Sequence, residues 1–208
     1  MKGGRKVIVL LVIFSFALCI QAGAQGRQKR AQKKPDAAAA QASDEQTKND
    51  MHSMPGPEHA NLTRLAGQYT TVTKIFMAPG APPQESTGEA KLWMTLDGRF
   101  LSEDDSGMFF GQQMKSFRMV GYNNASKRYE AIWTYTMSTA IMTLNGTSKD
   151  GGKTITLAGS FDDQGGVKQK LDVVMRQTDS DHLVVELSGT TPDGKTGPLL
   201  QTTYTRKK

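Results

Sequence analysis

A chain of 208 residues carries 26 Lys and Arg against 20 Asp and Glu, a formal net charge of +6, with 37% hydrophobic and 7% aromatic residues. That is enough apolar content for one domain with its own core. The charge excludes less than it suggests: nine basic and four acidic residues precede position 55, leaving 17 basic against 16 acidic in the remainder. Nucleic acid is an unsuitable partner for so balanced a surface, because phosphate-backbone affinity needs concentrated positive charge.

In chain order, the first element expected is a signal peptide over residues 1–24. Lys2, Arg5 and Lys6 make a basic start, residues 7–20 an apolar run of 14, and Ala22-Gly23-Ala24 the small residues of a cleavage site. The run is too short to span a bilayer. Cys19, the single cysteine, follows Leu18, where a lipoprotein signal calls for a small residue. The mature chain then has no disulfide and no cysteine ligand or nucleophile. An exported chain of this kind suits the bacterial periplasm or the extracellular space. Residues 25–54, rich in Gln, Ala and charge, have the composition of a disordered linker.

The foldable part, residues 55–208, opens with a short helix. Pro57 suits a first helical position, Leu62, Leu65 and Ala66 share one apolar face, and Gly67 is a natural stop. From Gly67 onward the pattern changes to short alternating runs, among them GQYTTVTKIF, GEAKLWMTL, RYEAIWTYT, TITLAGSF and HLVVELSG, rich in β-branched and aromatic residues. About ten strands are expected. Turn chemistry separates them at Asp97-Gly98, Asp150-Gly151-Gly152, Gln164-Gly165-Gly166 and Pro192-Asp193-Gly194. Short links join antiparallel neighbours, so the fold class is all-β, an antiparallel up-and-down barrel whose closure removes its edges, with the helix as a plug.

Period-two alternation assigns the faces. Val167, Gln169, Leu171, Val173 and Met175 share one side, as do Ile155, Leu157, Gly159 and Phe161, and Leu183, Val185 and Leu187. The face made by Tyr129, Ala131, Trp133 and Tyr135 is aromatic with polar tips. A barrel of eight to ten strands, roughly, encloses either a dry core or a space for one small ligand. In the second case Tyr129, Trp133, Tyr135 and Trp93 are the candidate wall, with Met94, Met114 and Met142 as adaptable lining.

Candidate chemistry is sparse. His59, Glu58 and Asp104 are the acid or base groups available to an enzyme, although His59, in the first turn of the plug helix, reads first as a capping or packing residue. His52 and His182 are too scattered to join it in a metal or catalytic set, so no metal, cofactor or catalytic constellation is expected. Glu103, Asp104 and Asp105 lack the spaced oxygens of a calcium loop and read as a solvated hairpin end. The functional expectation is a binding module for a small apolar or amphipathic molecule. The alternatives are an enzyme acting on such a molecule and an interaction domain with a filled barrel.

The segments PGPEH, LTRLAGQY, GRFL, VGYNNASKRYEAIW, LNGTSKD and TTYTR, in that order, resemble an uncharacterised bacterial family of domains with a lipocalin-like barrel. The resemblance spans residues 55–208 and implies the fold while leaving the function open. Lipocalin-type barrels start their first strand with Gly-x-Trp; here Gly67-Gln68-Tyr69 puts a tyrosine in its place. The resemblance further implies a clasp in which a basic side chain of the last strand, Arg206, covers the first-strand aromatic, Tyr69.

Overall fold

The computed structural model describes residues 37–77, 81–162, 165–190 and 196–208. The expected signal peptide, the first part of the expected linker, Gln164 and the turn at 192–194 lie outside the described residues. Two helices, α1 (Ala37–Ser53) and α2 (Pro57–Thr63), precede the strands. These are β1 (Gly67–Ile75), β2 (Gln84–Thr95), β3 (Phe100–Phe109), β4 (Gln112–Asn123), β5 (Arg128–Tyr135), β6 (Met142–Ser148), β7 (Thr154–Asp162), β8 (Lys168–Gln177), β9 (His182–Thr190) and β10 (Thr196–Arg206).

Where composition predicts a disordered linker, residues 37–53 form α1. An alanine run with few β-branched residues has high helix propensity, which favours this local structure without a packed face. Its end meets the barrel: Arg99 Nε donates to Ser53 O at 3.1 Å, and Asn124 Nδ2 to Met54 O at 2.8 Å. Among the described residues no helix is long and apolar enough to cross a membrane.

The ten strands form a closed antiparallel meander in which each pairs with its chain neighbours and β1 pairs with β10. Odd-numbered strands therefore start at the α2 end, and even-numbered strands start at the opposite mouth. Expected turns appear where Asp97, Gly98, Gly151, Gly152 and Gly166 adopt positive φ.

Most of the alternating faces point as their sequences predict: Leu171, Val173 and Met175, Ile155 and Leu157, and Leu183, Val185 and Leu187 are all buried, while Val167, which precedes β8, is exposed. The two expected interiors, dry and hollow, each occupy half of the barrel. At the α2 end, Leu62 and Leu65 of the plug join Tyr69, Leu101, Val120, Tyr129 and Leu157 in a continuous core. Each of these large side chains contributes on the order of 1.5–3 kcal/mol by burial. Among the described residues, no helix covers the mouth end.

Closure at the α2 end centres on Tyr69, only 1% exposed. Tyr69 and Arg206 are register partners on β1 and β10, and the Arg206 guanidinium carbon lies 4.9 Å from the Tyr69 ring centroid. Arg206 also donates to Ala66 O at 2.6 Å, Arg64 O at 2.9 Å and Ser180 O at 3.2 Å, while Tyr69 OH donates to Leu65 O at 2.8 Å. The carbonyls left open where α2 ends are thus satisfied by the clasp itself. Gly67 makes room for it, since a Cβ there would lie 2.1 Å from an Arg206 guanidinium nitrogen.

A lysine can neither stack a planar cation on the ring nor reach three carbonyls at once. Arg206→Lys is therefore expected to destabilise the protein by about 1–2 kcal/mol in urea unfolding. Lys208→Ala should leave the midpoint unchanged, and Lys207→Ala, which removes only an exposed pair with Glu89 at 2.7 Å, should cost less than about 1 kcal/mol. Equal effects at the three positions would contradict the clasp.

Candidate functional site

The interior row that matters runs across β3, β4 and β5. Leu101 is buried and faces inward, so period two carries Glu103 and Asp105 inward with it and turns Asp104 out to solvent. Register places Glu103 opposite Arg118, and Arg118 opposite Trp133. The acidic run is therefore not a solvated hairpin end. It is a mid-strand segment with two carboxyls inside the barrel, and strand phase rather than local composition decides where they point.

Glu103 and Arg118 are 4% and 3% exposed. A guanidinium nitrogen of Arg118 donates to Glu103 Oε2, and Tyr204 OH, from β10, donates to Glu103 Oε1 at 2.8 Å. The Arg118 guanidinium carbon also lies 5.7 Å from the Trp133 ring centroid. Burial alone would lower the Arg118 pKa, but the Glu103 charge and the hydrogen bonds outweigh it and raise the pKa, so the cation is fixed. Burial, then the Glu103 charge, raises Tyr204 well above the ordinary tyrosine value, which keeps its proton available to donate. Asp105 is pushed up to about 6, first by burial, then by Glu103, against a lowering pull from Arg118. Arg118 Nε is buried with no hydrogen-bond partner.

These groups form the floor of a cavity of ≈ 40 Å³ walled by Thr71, Gly88, Glu103, Asp105, Arg118 and Tyr204, room for little more than one water. Above it a mouth cavity of ≈ 390 Å³ is lined almost wholly by apolar side chains, within the range of about 300–1,000 Å³ usual for small-molecule sites. The two share Phe109, Met114, Trp133, Leu187 and Leu200 as walls.

Two backbone irregularities shape the mouth. On β10 the register shifts between Pro198 and Leu200, and the bulge lets the consecutive Leu199 and Leu200 both line the cavity. Proline has no N–H for the ladder, which suits it to such a place. Between β3 and β4, Phe110 and Gly111 have φ of 49° and 76°, as a two-residue type I′ turn requires. A phenylalanine there carries left-handed strain on the order of 1 kcal/mol. The residue is 49% exposed and lines the rim.

Of the expected wall residues, Trp133 and Tyr135 line the mouth cavity, as do Met114 and Met142. Tyr129 does not. It is buried in the plugged half, 5.0 Å from Tyr122 between ring centroids, because it lies at the α2 end of β5. Trp93 is outside the barrel: its β2 neighbour Leu92 is buried inward, while Trp93 shares the outer face with Lys91, whose Nζ lies 5.6 Å from its ring.

His59 and Glu58 sit on α2 at the closed end. His59 Nδ1 accepts from Gly56 N–H at 2.9 Å, and the ring meets Tyr122 edge-on at 6.1 Å. The histidine is thus a cap and a packing residue, with its ring proton on Nε2. Among the described residues, no group of three or more His, Cys, Asp or Glu side chains is placed to hold a metal ion. The groups missed in the sequence are Glu103, Asp105, Arg118 and Tyr204, whose strands are polar on the inside. Their available signal was phase, with Leu101 and Val120 as the apolar anchors.

The chain belongs to the family described as a protein of unknown function, DUF1579, whose model matches residues 54–206. No curated protein matches it. Among solved structures it is similar to Rv2717c from M. tuberculosis, at 15% identity over 74% of this chain and 100% of that one, with a TM-score of 0.53. The S-type phycobiliprotein lyase CPES from Guillardia theta gives 12% identity over 77% and 97%, also with a TM-score of 0.53. Both likenesses concern the fold, a lipocalin-like barrel.

A carboxyl whose pKa is higher in the folded than in the unfolded chain contributes stability that is complete below the unfolded value and is lost as pH rises through the folded one. For Asp105 that window lies between the ordinary 3.8 and about 6. Asp105→Asn is expected to stabilise the protein by about 1–2 kcal/mol at neutral pH and by little at or below pH ~4. Urea unfolding at both pH values checks this; a variant less stable at neutral pH would contradict the buried, charge-penalised placement.

Proposed function

We propose that this protein is an exported binding protein that holds one small amphipathic molecule in the mouth half of its barrel. The observation that carries the reading is the apolar cavity of ≈ 390 Å³ standing on a floor of ionisable and hydroxyl groups. Apolar walls with a few convergent polar groups are the usual make-up of a small-molecule site. Phe110 supports it as well, an exposed aromatic held at the cavity rim by its left-handed turn. A barrel of the same fold is a phycobiliprotein lyase in Guillardia theta, which keeps an enzymatic reading in view. Binding is favoured because, of the acid and base groups expected from sequence, Glu58 and His59 stand at the closed end and Asp104 faces solvent.

An apolar fluorescent probe should bind the purified protein, and Trp133→Ala should weaken binding by about tenfold or more, a change of ~1.4 kcal/mol. The stability lost should fall short of the ~3–5 kcal/mol that truncating a tryptophan in a filled core costs. A protein that takes up no probe and loses that full amount has a filled barrel.

Export is supported by the basic start, the apolar run and the small residues at 22–24. N-terminal sequencing of protein from the cell envelope should begin at Gln25; an intact Met1 would contradict it.

A further inference from the structure

We propose that the molecule held in the mouth is an amphipathic amine. Its compact cationic head sits beside Asp105, an oxygen next to the nitrogen accepts from Arg118 Nε–H, and its apolar chain fills the mouth. This rests on the binding reading above and adds the chemistry of the head group.

The first argument is the balance of charge on the floor. Two carboxyls, Glu103 and Asp105, meet one guanidinium, and Glu103 and Arg118 already bond one another. Asp105 is the surplus group. No hydrogen bond from a described residue reaches its carboxyl, and the groups facing it are Glu103 on its own strand, Arg118 from β4 and Tyr204 from β10. Its register partners on β2 and β4 are Ala90 and Ser116, which carry no charge. An ammonium supplies the missing cation with a charge-assisted hydrogen bond. A carboxylate head would meet two carboxyls, with the guanidinium charge already balanced by Glu103.

The second argument is independent of charge. Arg118 is 3% exposed, lines the floor, and its Nε–H has no hydrogen-bond partner. A buried donor left unpaired is costly, so the floor calls for an acceptor oxygen as well as a cation. Size limits the head: the ≈ 40 Å³ floor admits only the small polar groups themselves, entering from the mouth cavity whose walls it shares, and not a phosphate ester. The raised pKa of Asp105 agrees with a carboxyl still lacking its cation.

The test compares three probes on one octyl chain: the vicinal amino alcohol, the matching secondary alcohol, and octanoate, titrated calorimetrically into the purified protein. Amino alcohol and alcohol both offer an oxygen to Arg118 and differ in the ammonium alone. The proposal expects the amino alcohol to bind at least about tenfold more tightly than the alcohol, with octanoate weakest. The preference should fade below pH ~6 as Asp105 takes up a proton, and Asp105→Asn should bring the ratio close to one. That variant is expected to be the more stable protein at neutral pH, so a lost preference is not lost folding. Equal binding of amino alcohol and alcohol, or tightest binding of octanoate, would overturn the amine assignment while leaving a binding protein. Uptake of none of the three, together with no uptake of the apolar fluorescent probe, would overturn both readings.

Discussion

The ion pair between Glu103 and Arg118 is the constraint around which the barrel is arranged. Taking two charges out of water costs several kcal/mol each, and apolar residues of the same volume would often hold a core as well or better. The pair is therefore a poor device for stability alone. It sits where the filled half gives way to the open half, with Tyr204 bonded to one side and Trp133 beneath the guanidinium. A polar layer at that depth ends the apolar core and makes a floor. Without it, the interior of a barrel this size could close as one dry core.

The two ends of the barrel divide the work accordingly. At the closed end, α2, the first strand and the last strand are tied together by Tyr69 and Arg206 through one stacking contact and several carbonyl bonds. His59, the residue with the most obvious chemical potential in the sequence, is used there to begin the helix. That end resembles a protein interior. The mouth instead has exposed Met77, Phe110 and Met137 around an apolar cavity, so large adaptable side chains meet solvent where a ligand would enter. A rigid closed end lets the mouth be loosely packed without opening the sheet.

The barrel was legible because its information is periodic. β5, β7, β8 and β9 alternate cleanly, the turn residues fall between them, and the Tyr69–Arg206 pairing follows from closure of a meander. The site was only partly legible. Trp133 and Tyr135 could be placed on the inner face by alternation, but alternation does not tell depth, and Tyr129 on the same face belongs to the plugged half. Trp93 follows the phase opposite to the inward Leu92 and so faces out. The floor was hidden for a different reason. β3 is polar on both faces from Ser102 to Ser106, and β4 puts Phe117 and Met119 on the outside and Arg118 within, so hydrophobicity reads nearly inverted there. Tyr204 lies 101 residues from Glu103 in the chain, and only closure brings them together.

The protein contains its own reporters for the central claim. Its two tryptophans lie on opposite sides of one wall, Trp133 in the mouth and Trp93 on the outer face. In a proton–nitrogen NMR spectrum they give two indole N–H signals, assignable with Trp93→Phe, which can be followed while an apolar or amphipathic molecule is added. The account predicts a saturable shift of the Trp133 signal with the Trp93 signal unmoved. A shift confined to Trp93, or none at either while the added molecule is demonstrably bound, would contradict binding in the barrel mouth.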